Sequence, residues 1–129
     1  MPHVYLLAPA LQRKEKIGDG DCVTLIREFT PSLKNRHTST WKQGDAVFGN
    51  RALKPGTAIA TFVNGKYPSI STGNHAAFYL RHDGDRIFII DQFKKSRWIE
   101  SRPIRRRGQN KDGTFPYASD NADAFFVIE

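Results

Sequence analysis

"HAAFYLRHDGDRIFIID", residues 75–91, sets two short runs rich in β-branched and aromatic residues on either side of a charged stretch. Runs of that composition, bounded by turn residues such as Asp83-Gly84, read as strands, and so short a break between them reads as a hairpin. The pairing of 75–81 with 85–91 across "HDGD" therefore predicts an antiparallel pair, with its register open. A two-residue Asp83-Gly84 turn sets His82 against Asp85 and His75 against Gln92. A three-residue His82-Asp83-Gly84 loop, with Gly84 left-handed, sets Arg81 against Asp85 and His75 against Asp91. Since a one-residue slip turns every side chain to the other face, the register decides which polar residue His75 meets.

Outward from the hairpin, further strands are expected at "TAIATFV" (57–63), "SRWIE" (97–101) and "AFFVIE" (124–129), with turns at Pro55-Gly56 and Asn64-Gly65. A single helix precedes them. It starts near Asp21, whose side chain can cap free backbone N–H groups, and stops near Pro31, which cannot continue a helix. Val23, Ile26 and Phe29 recur along it, and Cys22 shares a face with Ile26 and Phe29. One helix followed by runs of strand, without helical patterns between them, predicts an α+β fold: a cysteine-bearing N-terminal helix packed on an antiparallel sheet. With no internal repeat and no linker-like tract, residues 1–129 are expected to form a single domain.

A lone cysteine makes no intramolecular disulfide, so the fold suits a reducing compartment. "MPHVYLLAPALQRKEK" (1–16) has no basic stretch before its short apolar run and does not read as a signal peptide. Nor does any run approach the ~18 apolar residues of a membrane span. The expectation is synthesis in the cytoplasm without a signal peptide. Charge is uneven: residues 94–111 carry eight of the 20 basic residues and one of the 13 acids, leaving twelve of each elsewhere. Such a segment either attracts polyanions or forms a solvated loop.

The reactive form of cysteine is the thiolate, and a free side chain titrates near pH ~8.5, so a nucleophile needs help. A helix start offers it, because its unpaired N–H groups stabilise an anion and can bind an oxyanion. Gly18 and Gly20 just before it suggest a backbone that substrate can approach closely. The plain alternative is a buried cysteine acting as a small core residue. Among the histidines, His82 falls in a turn, His3 at a terminus and His37 in the polar "KNRHTST"; His75 alone opens an apolar strand. Its neighbours Ala76 and Ala77 leave room for a helix to pack closely. A general base needs a partner on its second nitrogen, and the end of "RIFIID" supplies one. Asp91 is preferred to Gln92 because its charge stabilises an imidazolium.

The order of a cysteine at a helix start, a histidine at a strand start and a polar residue ending the next strand resembles the papain-like NlpC/P60 and CHAP amidases of bacterial cell walls. More narrowly, "GDGDCVTLIRE", "WKQG" (41–44), "LKPGTAIATF" (53–62), "GNHAAFYL" (73–80) and "IIDQF" (89–93) resemble the small type VI secretion amidase effectors. That resemblance implies a papain-like NlpC/P60-type domain with Cys22 as nucleophile, His75 as general base and Asp91 as orienting residue. It implies hydrolysis of peptide bonds in peptidoglycan stem peptides or crosslinks through a thioester, with the Cys22 N–H as half of the oxyanion hole. Papain takes its other half from a glutamine upstream of the cysteine; here Gly18, Asp19, Gly20 and Asp21 stand in that place, and the second donor is unassigned.

The resemblance further implies an antibacterial toxin injected by the type VI apparatus into the target's periplasm. Its partners would be peptidoglycan and a cognate periplasmic immunity protein, with no nucleic acid, no cofactor and no metal, and the chain would be a monomer. The competing reading is a non-enzymatic polyanion-binding module using "RRRG" with Trp98 and Phe93.

Overall fold

The computed structural model describes residues 2–68, 70 and 73–129. Helix α1 spans Cys22–Phe29, and six strands follow: β1 (Gln43–Ala46), β2 (Ala58–Thr61), β3 (Ala76–Asp83), β4 (Arg86–Asp91), β5 (Glu100–Arg105) and β6 (Phe125–Ile128). All pair antiparallel in one sheet of order β1-β6-β2-β3-β4-β5, so the last strand lies between the first two.

The helix forms where the sequence places it. Asp21, the N-cap, sits in extended backbone and its carboxylate accepts the N–H of the first helical residue, Cys22, at 2.7 Å. At the other end the Thr30 N–H closes the last turn on the Ile26 carbonyl, and Pro31 starts a 3-10 turn instead of a further helical one. Cys22, Leu25 and Ile26 are buried and Phe29 packs beside them, a spacing that gives one helical face. Val23, expected on that face, is half-buried and turns toward a cleft.

The sheet face beneath α1 is made of small residues where the helix must come near. Ala60 of β2 pairs with Ala76 of β3, Ala58 pairs with Phe78, and all four are fully buried in the cluster that holds Cys22. Ala76 thus does what its size suggested, whereas Ala77 points to the opposite face with Ile59, Tyr79, Ile87, Ile89 and Ile104. That second face is closed by Val47, Phe48 and Leu53 and by Ala122.

Three expectations need correction. The hairpin turn is neither of the two considered: Asp83 pairs with Arg86 around Gly84-Asp85, with Gly84 at φ +63° in the first central position, where glycine is required. A bulge at Leu80 then shifts the register between Tyr79, opposite Ile89, and Arg81, opposite Phe88. Extrapolation from the turn therefore fails before it reaches His75. The strand expected at 97–101 lies at Glu100–Arg105, where Pro103 is tolerated because β5 is the sheet edge. Strand β1 was not anticipated at all. It is polar and mostly exposed, and pairs by backbone alone, with Gly44 so close to β6 that a Cβ would lie 2.9 Å from the Val127 carbonyl.

Because the Ala60–Ala76 floor sets how near α1 approaches the sheet, Ala76→Leu is expected to lower stability by about 1–3 kcal/mol, read as a lower urea midpoint at unchanged slope.

Candidate active site

Cys22 occupies the first position of α1, held from both sides of the chain. Upstream, residues 17–21 make a tight turn: Gly20 N–H bonds the Ile17 carbonyl, and Gly18 and Gly20 take φ of +55° and +82°, which side-chain-bearing residues rarely adopt. A Cβ on Gly18 would strike Thr24 of α1 at 2.7 Å. These glycines therefore serve the turn, not the approach of substrate, and neither lines the cleft. Asp19 is drawn away from the thiol. It accepts bonds from the Thr24 hydroxyl at 2.7 Å and the Asp21 N–H at 3.0 Å, and these hold its carboxyl below the usual range.

His75 stands at the foot of β3, its backbone fixed by Thr61 through two bonds, His75 N–H to the Thr61 hydroxyl and Thr61 N–H to the His75 carbonyl. Its ring is buried (4% exposed) and meets the edges of Phe93 and Phe125. Nε2 lies 2.6 Å from Oδ2 of Asp91, itself 2% exposed. Cys22 acts on the same imidazole by hydrogen bonding and charge. Burial disfavours the charged ring, but the bonds to Asp91 and Cys22 outweigh it and push its pKa up to about 9. Cys22, His75 and Asp91 are thus brought together.

Gln92 does not orient His75. Fully buried, it accepts the Ile17 N–H at 2.9 Å and donates to the Ile17 carbonyl at 3.1 Å and the Asp21 carbonyl at 2.8 Å, clamping the turn that leads into Cys22. Lys16 and Lys94 add bonds across the same seam, from Lys16 Nζ to the Phe93 and Lys94 carbonyls and from Lys94 Nζ to the Asp19 carbonyl.

The residue that sequence reasoning missed is Tyr67. Its side chain hydrogen-bonds Cys22, and burial, with the negative charge and hydrogen bond of Cys22 adding to it, raises its pKa. Asn64-Gly65, at φ +52° and +82°, turns the chain back and leads into it, while Trp41 of "WKQG" meets its ring edge-on at 5.1 Å. The signals were the Asn64-Gly65 turn and a buried tryptophan; neither says that the residue after them faces the thiol.

Tyr67, Cys22 and His75 line one cleft of about 640 Å³, together with Asp21, Arg27 and Lys94. A second depression of about 520 Å³, reaching Lys95 and Arg102, shares Asn74, His75, Phe93 and Lys94 with the first. Ile70 and Phe93 expose apolar surface at the rim. Among the described residues no group of three or more His, Cys, Asp or Glu could hold a metal ion.

The other histidines are accounted for differently. His82 is not simply exposed: Nε2 accepts the Gly49 N–H at 3.0 Å and Nδ1 meets the Tyr79 hydroxyl at 2.6 Å, tying the hairpin to the loop over the sheet. His3 bonds Ser32, and His37 bonds Ser39 while lining the cleft. Part of the basic segment is held in ion pairs, Arg102 with Asp91, Arg106 with Asp123 and Arg107 with Asp120, and the last two tie it to residues 120–123.

A helix N-terminus presenting a thiol to an imidazole, itself backed by a buried carboxylate on an antiparallel sheet, is the arrangement of the papain-like cysteine hydrolases. The family described as domesticated amidase effector 2 matches residues 10–128. The type VI secretion amidase effector 2 protein of Salmonella typhi is 44% identical over the whole of both chains, and domesticated amidase effector 2 of Ixodes scapularis is 31% identical over 84% of this chain and 70% of its own. A solved type 6 secretion amidase effector 2 superposes with a TM-score of 0.90 at 43% identity, over 98% of this chain and 94% of that one. The chain belongs to the amidase effector 2 family.

The raised His75 pKa has a sign for stability. The folded state binds this proton more tightly than the unfolded chain, so the contribution is fully present below about pH 6.5 and is lost as pH rises through about 9. The melting temperature is expected to fall between pH 7 and 9.5, and His75→Gln to flatten that fall.

Proposed function

We propose that this protein is a cysteine amidase of peptidoglycan, acting on stem peptides or crosslinks as an antibacterial type VI effector. The observation that carries the reading is the buried imidazole held between the Cys22 thiol and the Asp91 carboxylate. In this mechanism Nδ1 of His75 takes the thiol proton, and the thiolate attacks the carbonyl carbon of the scissile amide. Asp91 on Nε2 stabilises the imidazolium so formed, which then gives its proton to the leaving amine. A thioester remains, and water attacks it with His75 as base, releasing the acid and restoring the thiol.

The oxyanion needs donors where it develops. The Cys22 N–H is already bonded to the Asp21 carboxylate in this state, so substrate oxygen must displace that side chain to use it. The Tyr67 hydroxyl stands beside Cys22 in the same cleft and, on turning from the sulfur, supplies the second donor. Lys94 and Lys95, in the depressions that meet at His75, are placed to attract the carboxylates of stem peptides. The relatives' names as type VI secretion effectors support delivery by the type VI apparatus; action in the target's periplasm, and an immunity protein that plugs the cleft in the producer, are part of the same proposal. The polyanion-module reading loses ground because Arg106 and Arg107 are held in ion pairs.

Digestion of purified sacculi, with fragments identified by mass, tests the whole reading. Wild type is expected to release muropeptides, and Cys22→Ala none while keeping its melting temperature; release by the alanine variant would end the proposal. Tyr67→Phe is expected to lower kcat about 100- to 1000-fold, the range seen for lost oxyanion donors, with KM nearly unchanged.

A further inference from the structure

We propose that Arg102 is a positioning residue: its guanidinium holds the Asp91 carboxylate aimed at His75, and so sets the pH range in which the Cys22–His75 pair is active. This rests on the roles given above to Cys22, His75 and Asp91. Arg102 lies on β5, and its Nε donates to Oδ2 of Asp91 at 2.9 Å, the same oxygen that His75 meets at 2.6 Å. The rest of its fork reaches the Ser119 carbonyl at 3.4 Å and Asp120 at 3.8 Å. Phe93 lies over the guanidinium at 5.6 Å and against the His75 ring, covering both.

A carboxylate 2% exposed has given up its hydration, and one imidazole does not replace it; a second, permanently charged donor does. Arg102 is 29% exposed in the side chain, so it meets water in the second depression while its Nε reaches the buried oxygen. With the thiolate and imidazolium formed, Cys22, His75, Asp91 and Arg102 carry alternating charges that sum to zero. Without Arg102 the cluster holds a net negative charge, which makes a proton harder to remove from every member.

The other charged and titratable groups facing this cluster are Asp21, Arg27, His37 and Tyr67 on the thiol side, and Lys94 and Lys95 over His75. On the β5 side, Glu100 pairs with Asp91 across the sheet and Asp120 sits beside Arg102. Lys94 and Lys95 lie on the side of His75 open to solvent; Arg102 is the cation bonded to the carboxylate itself.

The test is the pH profile of kcat/KM on sacculi, alongside the pH profile of iodoacetamide alkylation, which needs no substrate. Arg102→Gln is expected to move both limbs of the activity bell, and the alkylation limb, upward by about half to one pH unit. At a pH below the acid limb that is a loss of about 3- to 10-fold in kcat/KM. Arg102→Lys, which keeps the charge, is expected to leave the limbs where wild type has them. A folded Arg102→Gln with unmoved limbs would overturn the proposal. If that variant does not fold, displaced limbs in Arg102→Lys overturn it. Wild-type alkylation no more acid-shifted than that of a free thiol, or hydrolysis by Cys22→Ala, would remove the underlying catalytic reading as well, and both show before any Arg102 variant is compared.

Discussion

Two adjacent residues at the end of β4 hold the two halves of the site in one frame. Successive side chains of a strand point to opposite faces, so Asp91 reaches His75 while Gln92 reaches the turn that delivers Cys22. Thiol and imidazole come from segments 53 residues apart, and neither α1 nor β3 by itself determines where the other sits. The pair Asp91-Gln92 does, because both bonds leave from one rigid piece of backbone paired with β3 and β5. Fully satisfied buried polar groups are stiff, and Gln92, with three bonds to backbone, is of that kind.

Around this frame the packing supplies closeness and the electrostatics supply poise. The alanine floor of β2 and β3 lets α1 lie near the sheet, and Trp41 backs the Tyr67 ring from the flank. His75 would be a neutral buried base but for its neighbours, and the buried Asp91 is held between His75 and Arg102. Each group is tolerable because the next one compensates it, from the solvent-facing guanidinium through the sheet to the thiol.

Much of this was legible beforehand for definite reasons. The helix was visible because Asp21 and Pro31 are strong local punctuation, and β2, β3, β4 and β6 because their apolar runs are bounded by turns. Cys22 and His75 stood out by position, at a helix start and a strand start. Asp91 does meet His75, but not through the register that suggested it: the bulge at Leu80 and the turn at Gly84-Asp85 are set by packing on both faces of the sheet, which a single strand pair does not reveal. Strand β1 carries no apolar pattern, because its place is earned by backbone pairing with β6. Tyr67 was hidden for a related reason, since a loop residue acquires its meaning from what the loop lies against. The basic run 94–111 read as wholly unpartnered because two of the acids that pair with it, Asp120 and Asp123, come later in the chain.

The position of β6 has a consequence for how the molecule is made. Strands β3, β4 and β5 follow one another in sequence and in space, so the His75–Asp91–Arg102 side of the site can form from nearby chain. The sheet beyond β2 is different: β1 joins it only through β6, whose residues pair with segments more than sixty positions earlier. Closing such long loops is slow, and it comes after the local pairings. Until it is done the chain has a hairpin-built half with one edge of β2 open to any strand that meets it, and the insertion of Phe125–Ile128 is the event that seals that edge.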